Sequence, residues 1–469
     1  MQTIPEEIAA APSHRLWSDL KDAIRGTRHD YTRGSIGRAI LLLAVPMVLE
    51  MVMESVFAIV DVFVVSRLGA EAIATVGLTE SMLTIIYAVA IGLTIGATAV
   101  VARRIGERDP EGAARAAVQA IAIAILAALP ICVTGILLAR PLLQLMGASP
   151  WVLEHGVNFT RIMLGSAPII LLLFLINAIF RGAGDAAIAM RVLWLANGIN
   201  IVLGPILVFQ FDLGVAGAAM ATAIGRGIGV VYQLRCLLRP EGRVRIQSRH
   251  LMLEASTMWT MLRLSGSGMV QVLIGMTSWV FLVRIISGFG SAAVAGYTIA
   301  IRMVIFALLP SWGLANAAAT LMGQNLGAQQ PDRARAAVWT ACRWNMIFLG
   351  AVGAFFFAFA PQLVGAFSLD PAVRPIGVSC LRIVSVGFLF YALGMVLSQA
   401  FNGAGDTWTP TLLNLLCNWI VELPFAWILS YRIGLGPPGA FWSIVVCYAL
   451  LAVTSALVFR QGRWMGREV

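Results

Sequence analysis

AILLLAVPMVLEMVMESVFAIVDVFVV, residues 39–65, is an apolar run broken by three carboxylates, Glu50, Glu54 and Asp61. At 1.5 Å per residue it is long enough to cross about 30 Å of hydrocarbon as one helix. At 100° per residue, Glu54 and Asp61 fall about 40° and 20° around that helix from Glu50, so the three acids share one face. That face cannot look at lipid, because an ionised carboxylate near the bilayer centre costs roughly 2.5–3.5 kcal/mol on insertion scales. It implies a protein-lined or watered cavity. Pro46 sits on the same side and removes a backbone donor one turn below Glu50, which makes it a bending point.

The rest of the chain has the same character. Of 469 residues, 59% are hydrophobic and 12% charged, with mean hydropathy +0.86, which excludes an ordinary soluble domain. Uninterrupted runs of this length also exclude a β-barrel, whose strands alternate in short segments. Residues 1–38 are polar and carry Arg15, Lys21, Arg25, Arg28, Arg33 and Arg38 with no signal-peptide core, so they are expected to form a cytoplasmic arm. Lys21 is the only lysine, so no Gly-Lys-Ser/Thr phosphate loop exists and the chain cannot be its own P-loop ATPase; no ATPase subunit is implied. The six cysteines lie among apolar residues without metal or redox spacing, and His14, His29, His155 and His250 fall outside the apolar runs. Neither a resident metal nor a histidine proton relay is expected. No His/Asp/Glu/Ser constellation for an intramembrane enzyme appears either.

Twelve apolar segments follow one another: 39–65, 74–101, 114–139, 156–180, 187–209, 213–237, 258–287, 294–322, 336–360, 376–401, 408–431 and 438–459. Arginines concentrate in alternate connections, at Arg103, Arg104, Arg108 and Arg115, at Arg181 and Arg191, between Arg235 and Arg249, at Arg333, Arg335 and Arg343, and in the tail. This distribution explains the +10 net charge without invoking nucleic acid, and it places both termini in the cytoplasm. The chain also repeats itself at an offset of 221 residues. Gly69 matches Gly290, Gly106 matches Gly327, Pro110 matches Pro331, Asn197 matches Asn418, and Gly182-Ala-Gly-Asp185 matches Gly403-Ala-Gly-Asp406.

The fold class expected is therefore an all-α polytopic membrane protein of twelve transmembrane helices, in two six-helix lobes related by a parallel pseudo-twofold repeat. Its divisions are an arm (1–38), an N-terminal lobe (39–238), a basic linker (239–257), a C-terminal lobe (258–460) and a tail (461–469). Two lobes around a site suit a secondary transporter that rocks to alternate access. Asp185 and Asp406 read as turn and cap residues of the two glycine turns, and Gln324 and Asn325 likewise.

The motifs resemble the multidrug and toxic compound extrusion (MATE) transporters over nearly the whole chain. They are DYTRGSIG (30–37) with LLLAVP (41–46), VDVFVVSRLG (60–69), FRGAGD (180–185), NGINIVLGP (197–205), LGVAGAAMAT (213–222) and MGQNLGAQQP (322–331). The resemblance implies export of organic cations and other amphipathic compounds in exchange for protons or sodium, with no cofactor beyond that ion. It also implies a monomeric, multi-pass protein of the bacterial inner membrane whose partners are small organic cations and lipid. Asp61 matches the first-helix carboxylate of the coupling site, and Asn200 and Thr222 match its polar partners. These three would be the ligands of any sodium.

Two departures matter. Relatives with a second aspartate have Leu-Asp-Pro where this chain has Leu203-Gly204-Pro205, which weakens sodium against simple protonation. Glu54 is then a candidate for the missing acid. In the second half, Gln271 is the repeat mate of Glu50, and the tenth segment is acid-free around Tyr391. Glu422, a turn from Asn418 and followed by Pro424, reads equally as a functional acid or a hydrogen-bond anchor. Glu50, Glu422, Asn418, Gln271 and Tyr391 are thus candidates for substrate binding or secondary coupling, and Glu80 with Arg302 for an ion pair between lobes. The alternative function is a flippase for lipid-linked or polyisoprenoid intermediates, which would line its cavity with arginines.

Overall fold

The computed structural model describes residues 12–26 and 29–467. Arg28, the arm before Pro12 and the last two residues of the tail lie outside the described residues. Ten helical segments are long and apolar enough to cross a membrane, and a pair bent by 54° makes eleven. The 31-residue α2 (Ile36–Ser66) completes the first half.

A short α1 (Pro12–Arg25) precedes α2 and ties to it through Arg38, which pairs with Asp19 at 2.9 Å and Asp22 at 3.7 Å. Then come α3 (Ala70–Gly106), α4 (Pro110–Leu145), α5 (Val157–Gly165) with α6 (Ala167–Ala183), α7 (Ala186–Pro205) and α8 (Gly214–Leu238). The second half repeats the order: α9 (Ala255–Ser287), α10 (Ser291–Gly327), α11 (Pro331–Gly365), the bent pair α12 (Arg374–Val386) and α13 (Phe388–Gly403), then α14 (Trp408–Asn414) and α15 (Leu423–Trp427) in one π-distorted span, and α16 (Pro437–Arg460).

The helices outrun the apolar segments because polar caps extend them. At the start of α4, Pro110 takes the first helical position, where its missing N–H costs nothing, and Asp109 accepts from the Gly112 N–H at 2.8 Å. Pro331 takes the same first position at α11, where Gln330 stands at the cap without a side-chain bond. The repeat extends to single backbone angles. Gly69 and Gly290 both have φ +96°, Gly184 and Gly405 both +85°, and Arg108 and Gln329 lie at +59° and +58°.

The seam between the halves follows the same symmetry. A Cβ on Gly92 of α3 would strike Ser265 and Met269 of α9, and one on its repeat mate Gly313 of α10 would strike the Met47–Val48 backbone of α2. Nearer the face that carries the basic loops, Gly106 abuts the Gln324 backbone and Gly327 the Arg103 carbonyl. These four contacts all lie on the basic-loop side of the middle of α3 and α10. The halves are therefore sealed there, and the space between them opens toward the other face.

Two readings of the turns are corrected by this packing. Gln324 and Asn325 are not turn residues, because α10 continues to Gly327; both are buried, and Gln324 donates to the Gly182 carbonyl across the seam at 2.8 Å. Asp185 makes no side-chain cap bond and instead pairs with Arg243 of the linker at 3.2 Å. Arg243 also donates to the His29 carbonyl at 2.7 Å and lies over the Tyr31 ring, while Tyr31 donates to the Gly184 carbonyl at 3.2 Å. From the second half, Arg333 donates to the carbonyls of Gly34, Tyr31 and Arg33. Residues 29–34 thus form a strap held by both halves on the basic-loop face.

Candidate functional site

A cavity of about 220 Å³ lies between the halves, and Glu50, Glu54, Tyr87, Arg181, Trp312 and Asn402 are among its walls. Glu50 is 2% exposed and accepts from Arg181 and from Asn177, each at 3.2 Å, while its second oxygen has no hydrogen-bond partner. Arg181 is therefore not a loop cation as its neighbours in sequence suggested. The glycine turn after it is sunk between the overhanging ends of α3 and α10, where Gly182 packs on Thr98 and Ala102 and Thr320 donates to the Arg181 carbonyl. Arg181 and Glu50 form the floor of the cavity.

One turn further along α2, Glu54 accepts from Asn197 of α7 at 2.9 Å and faces the same cavity. Asp61 faces a different one. With Asn200, Gly204 and Pro205 it lines a cavity of about 10 Å³ inside the N-terminal half, near the volume that holds a single water. Asn200 in turn donates to Thr222 of α8 at 2.7 Å. Asp61, Asn200 and Thr222 are thus brought together, whereas Glu54 does not enter the space beside Gly204.

Between the two chambers sits a residue that the sequence reading passed over, Arg226, one turn beyond Thr222. It is 7% exposed, within electrostatic reach of Tyr87, Glu54 and Asp61, and its Nη1 has no hydrogen-bond partner. Its signal was plain enough: a guanidinium in the middle of an apolar segment needs a partner in the protein.

The remaining candidates lie elsewhere. Gln271 is half-buried, with its carbonyl oxygen unpartnered, and is not a wall of the central cavity. Tyr391 stands behind that cavity, accepting from the Trp312 indole at 3.3 Å. Glu422 and Asn418 are in the interior of the C-terminal half. Glu80 and Arg302 are within electrostatic range of one another but form no ion pair.

The family model MatE matches residues 46–206 and 266–428. Among curated proteins, the probable multidrug resistance protein YoeA of Bacillus subtilis is 24% identical over 87% of this chain and 92% of its own length. The probable multidrug resistance protein NorM of Thermotoga maritima is 23% identical over 92% and 94%. The multidrug export protein MepA of Staphylococcus aureus is 22% identical over 91% and 94%. Among solved structures, a MATE protein in complex with MaL6 superposes with TM-score 0.88 at 29% identity, over 92% of this chain and 97% of that one. An outward-facing multidrug resistance MATE family transporter of the MOP superfamily gives TM-score 0.88 at 29% identity, over 93% and 98%. With the twelve-helix, two-lobe architecture shared and one model matching both halves at corresponding places in the repeat, the chain belongs to the MatE family.

Proposed function

We propose that this protein is a proton-coupled antiporter that exports organic cations by alternating access of its two lobes. It would act as a monomer in a bacterial inner membrane, with both termini in the cytoplasm. The observation that carries this reading is the pair of chambers, one between the halves that holds Glu54 and one inside the N-terminal half that holds Asp61, with buried Arg226 in electrostatic reach of both acids.

The coupling follows from charge balance. An ionised Asp61 holds Arg226 and leaves Glu54, with Tyr87 and Trp312 beside it, to bind a flat organic cation through charge and cation–π contact. Protonation of Asp61 from the open side frees the guanidinium for Glu54, and the substrate cation loses its counter-charge and leaves. A proton suits this site better than sodium, since a hard cation needs several oxygens and tolerates a neighbouring guanidinium poorly. Arg181 is the single arginine among the cavity walls and is already paired with Glu50, so a phosphate-binding flippase cavity is not supported.

Purified protein in proteoliposomes, loaded with ethidium under an imposed pH gradient, tests the reading. Asp61→Asn, which fixes the residue in its neutral form, is expected to reduce gradient-driven transport at least tenfold and to weaken ethidium binding. Full transport by that variant would refute the carboxylate's role.

A further inference from the structure

The N-terminal half draws its coupling residues from α2, α7 and α8. At the repeat offset their mates are α9, the span Trp408–Arg432 and α16, and these three enclose another buried carboxylate. Glu422 is 8% exposed. Ser278 of α9 donates to it at 3.3 Å and to the Asn418 carbonyl at 3.2 Å. Cys447 of α16 donates to the Asn418 side-chain oxygen at 3.1 Å and also neighbours Glu422.

The positions correspond pair by pair. Asn418 is the mate of Asn197, and Cys447 the mate of Arg226; Leu282 replaces Asp61, and Glu422 takes the place of Ile201. The acid has moved from the first helix of the lobe to the fifth, while the three helices around it are the repeat mates of those that carry Asp61, Asn200 and Thr222. Its helix is also distorted, since Leu415–Glu422 is π-helical, a geometry that recurs at functional sites.

The titratable groups around Glu422 are Cys417 on its own span, Cys447 and Tyr448 on α16, and Tyr297 on α10. Among the described residues no basic side chain balances it. A carboxylate in an apolar interior without a counter-charge must either hold a proton or bind a cation.

We propose that Glu422, with Ser278, Asn418 and Cys447, is a second proton-binding site, the C-terminal counterpart of the Asp61 crevice. In the sealed conformation Glu422 is a carboxylic acid. When its crevice opens to water the O–H bond breaks, the proton leaves to solvent, and the carboxylate takes another proton on the other side. This inference rests on the protein being a proton-coupled transporter, which the experiment tests separately.

Infrared difference spectra of the purified protein in liposomes, without substrate, should show a protonated-carboxyl C=O band that titrates with pH. The band should vanish in Glu422→Gln, shift in Ser278→Ala, and stay unmoved when sodium replaces potassium at fixed pH. In proteoliposomes under a fixed pH gradient with the membrane potential clamped at zero, the steady-state ethidium ratio of Glu422→Gln should fall to about the square root of the unsubstituted protein's ratio, as coupling drops from two protons to one. A spectrum unchanged by Glu422→Gln, a band titrated by sodium, or an unchanged ethidium ratio would each overturn the second site. If the unsubstituted protein moves no ethidium, the transport reading fails while the infrared result still decides whether Glu422 binds a proton. Matching elution and melting of the variants establishes that they are folded.

Discussion

At the scale of single residues, the floor of the central cavity is the most exacting feature. Glu50 and Arg181 have side chains only 2% and 12% exposed and meet at 3.2 Å. Removing one partner of such a buried pair leaves the other uncompensated, typically at a cost of about 3–5 kcal/mol. Arg181→Ala should therefore lower thermal stability in detergent sharply, and Glu50→Ala with Arg181→Ala should recover most of the loss. Equal melting of the single and double variants would show that the pair is not coupled. The pair also marks where sequence reading failed. Arg181 reads as a loop cation because it borders a glycine turn, and nothing local reveals that longer neighbouring helices bury that turn. Glu54 fits the vacancy at Gly204 by shared helix face alone; the structure separates the two by turning Glu54 toward Asn197 and the cavity between the halves.

At the scale of elements, the strap of residues 29–34 links both halves across the sealed face through Tyr31, Arg243 and Arg333. Burial, together with the charges of Arg38 and Arg243, holds the pKa of His29 below its usual 6.5. The neutral imidazole is thus the form that the docked strap favours. A group whose pKa is lowered by folding contributes its full stability above the unfolded value and loses it as pH falls through the folded one. Amide hydrogen exchange of residues 29–34, corrected for intrinsic rates, should show protection that is steady above pH 6.5 and declines below it. His29→Asn should flatten that decline, whereas protection that rose on acidification would contradict the assignment. The strap's role was not legible in the sequence, where its residues served only as a motif and as a source of positive charge.

For the whole molecule, the twelve segments were legible and their boundaries lie within six residues of the helix ends, because hydrocarbon thickness imposes a length that composition reveals directly. The repeat was legible as well, since matched glycines mark where two backbones must meet or turn, as Gly106 with Gly327 and Gly184 with Gly405 do. What one sequence could not supply was which chamber each acid faces. That depends on helix rotation and overhang, which place Glu50 and Glu54 between the halves and Asp61 within one of them. Arg226 connects these chambers and turns three aligned acids into an ordered arrangement.

Exchange of a proton, taken by Asp61, for an organic cation between these chambers is the step on which the proposed transport rests. Its most direct test is ethidium transport by the unsubstituted protein in proteoliposomes under a pH gradient alone and under a sodium gradient alone, each with the membrane potential clamped. Transport driven by the pH gradient and indifferent to sodium is the predicted result. Transport driven by the sodium gradient at equal pH on both sides would contradict it.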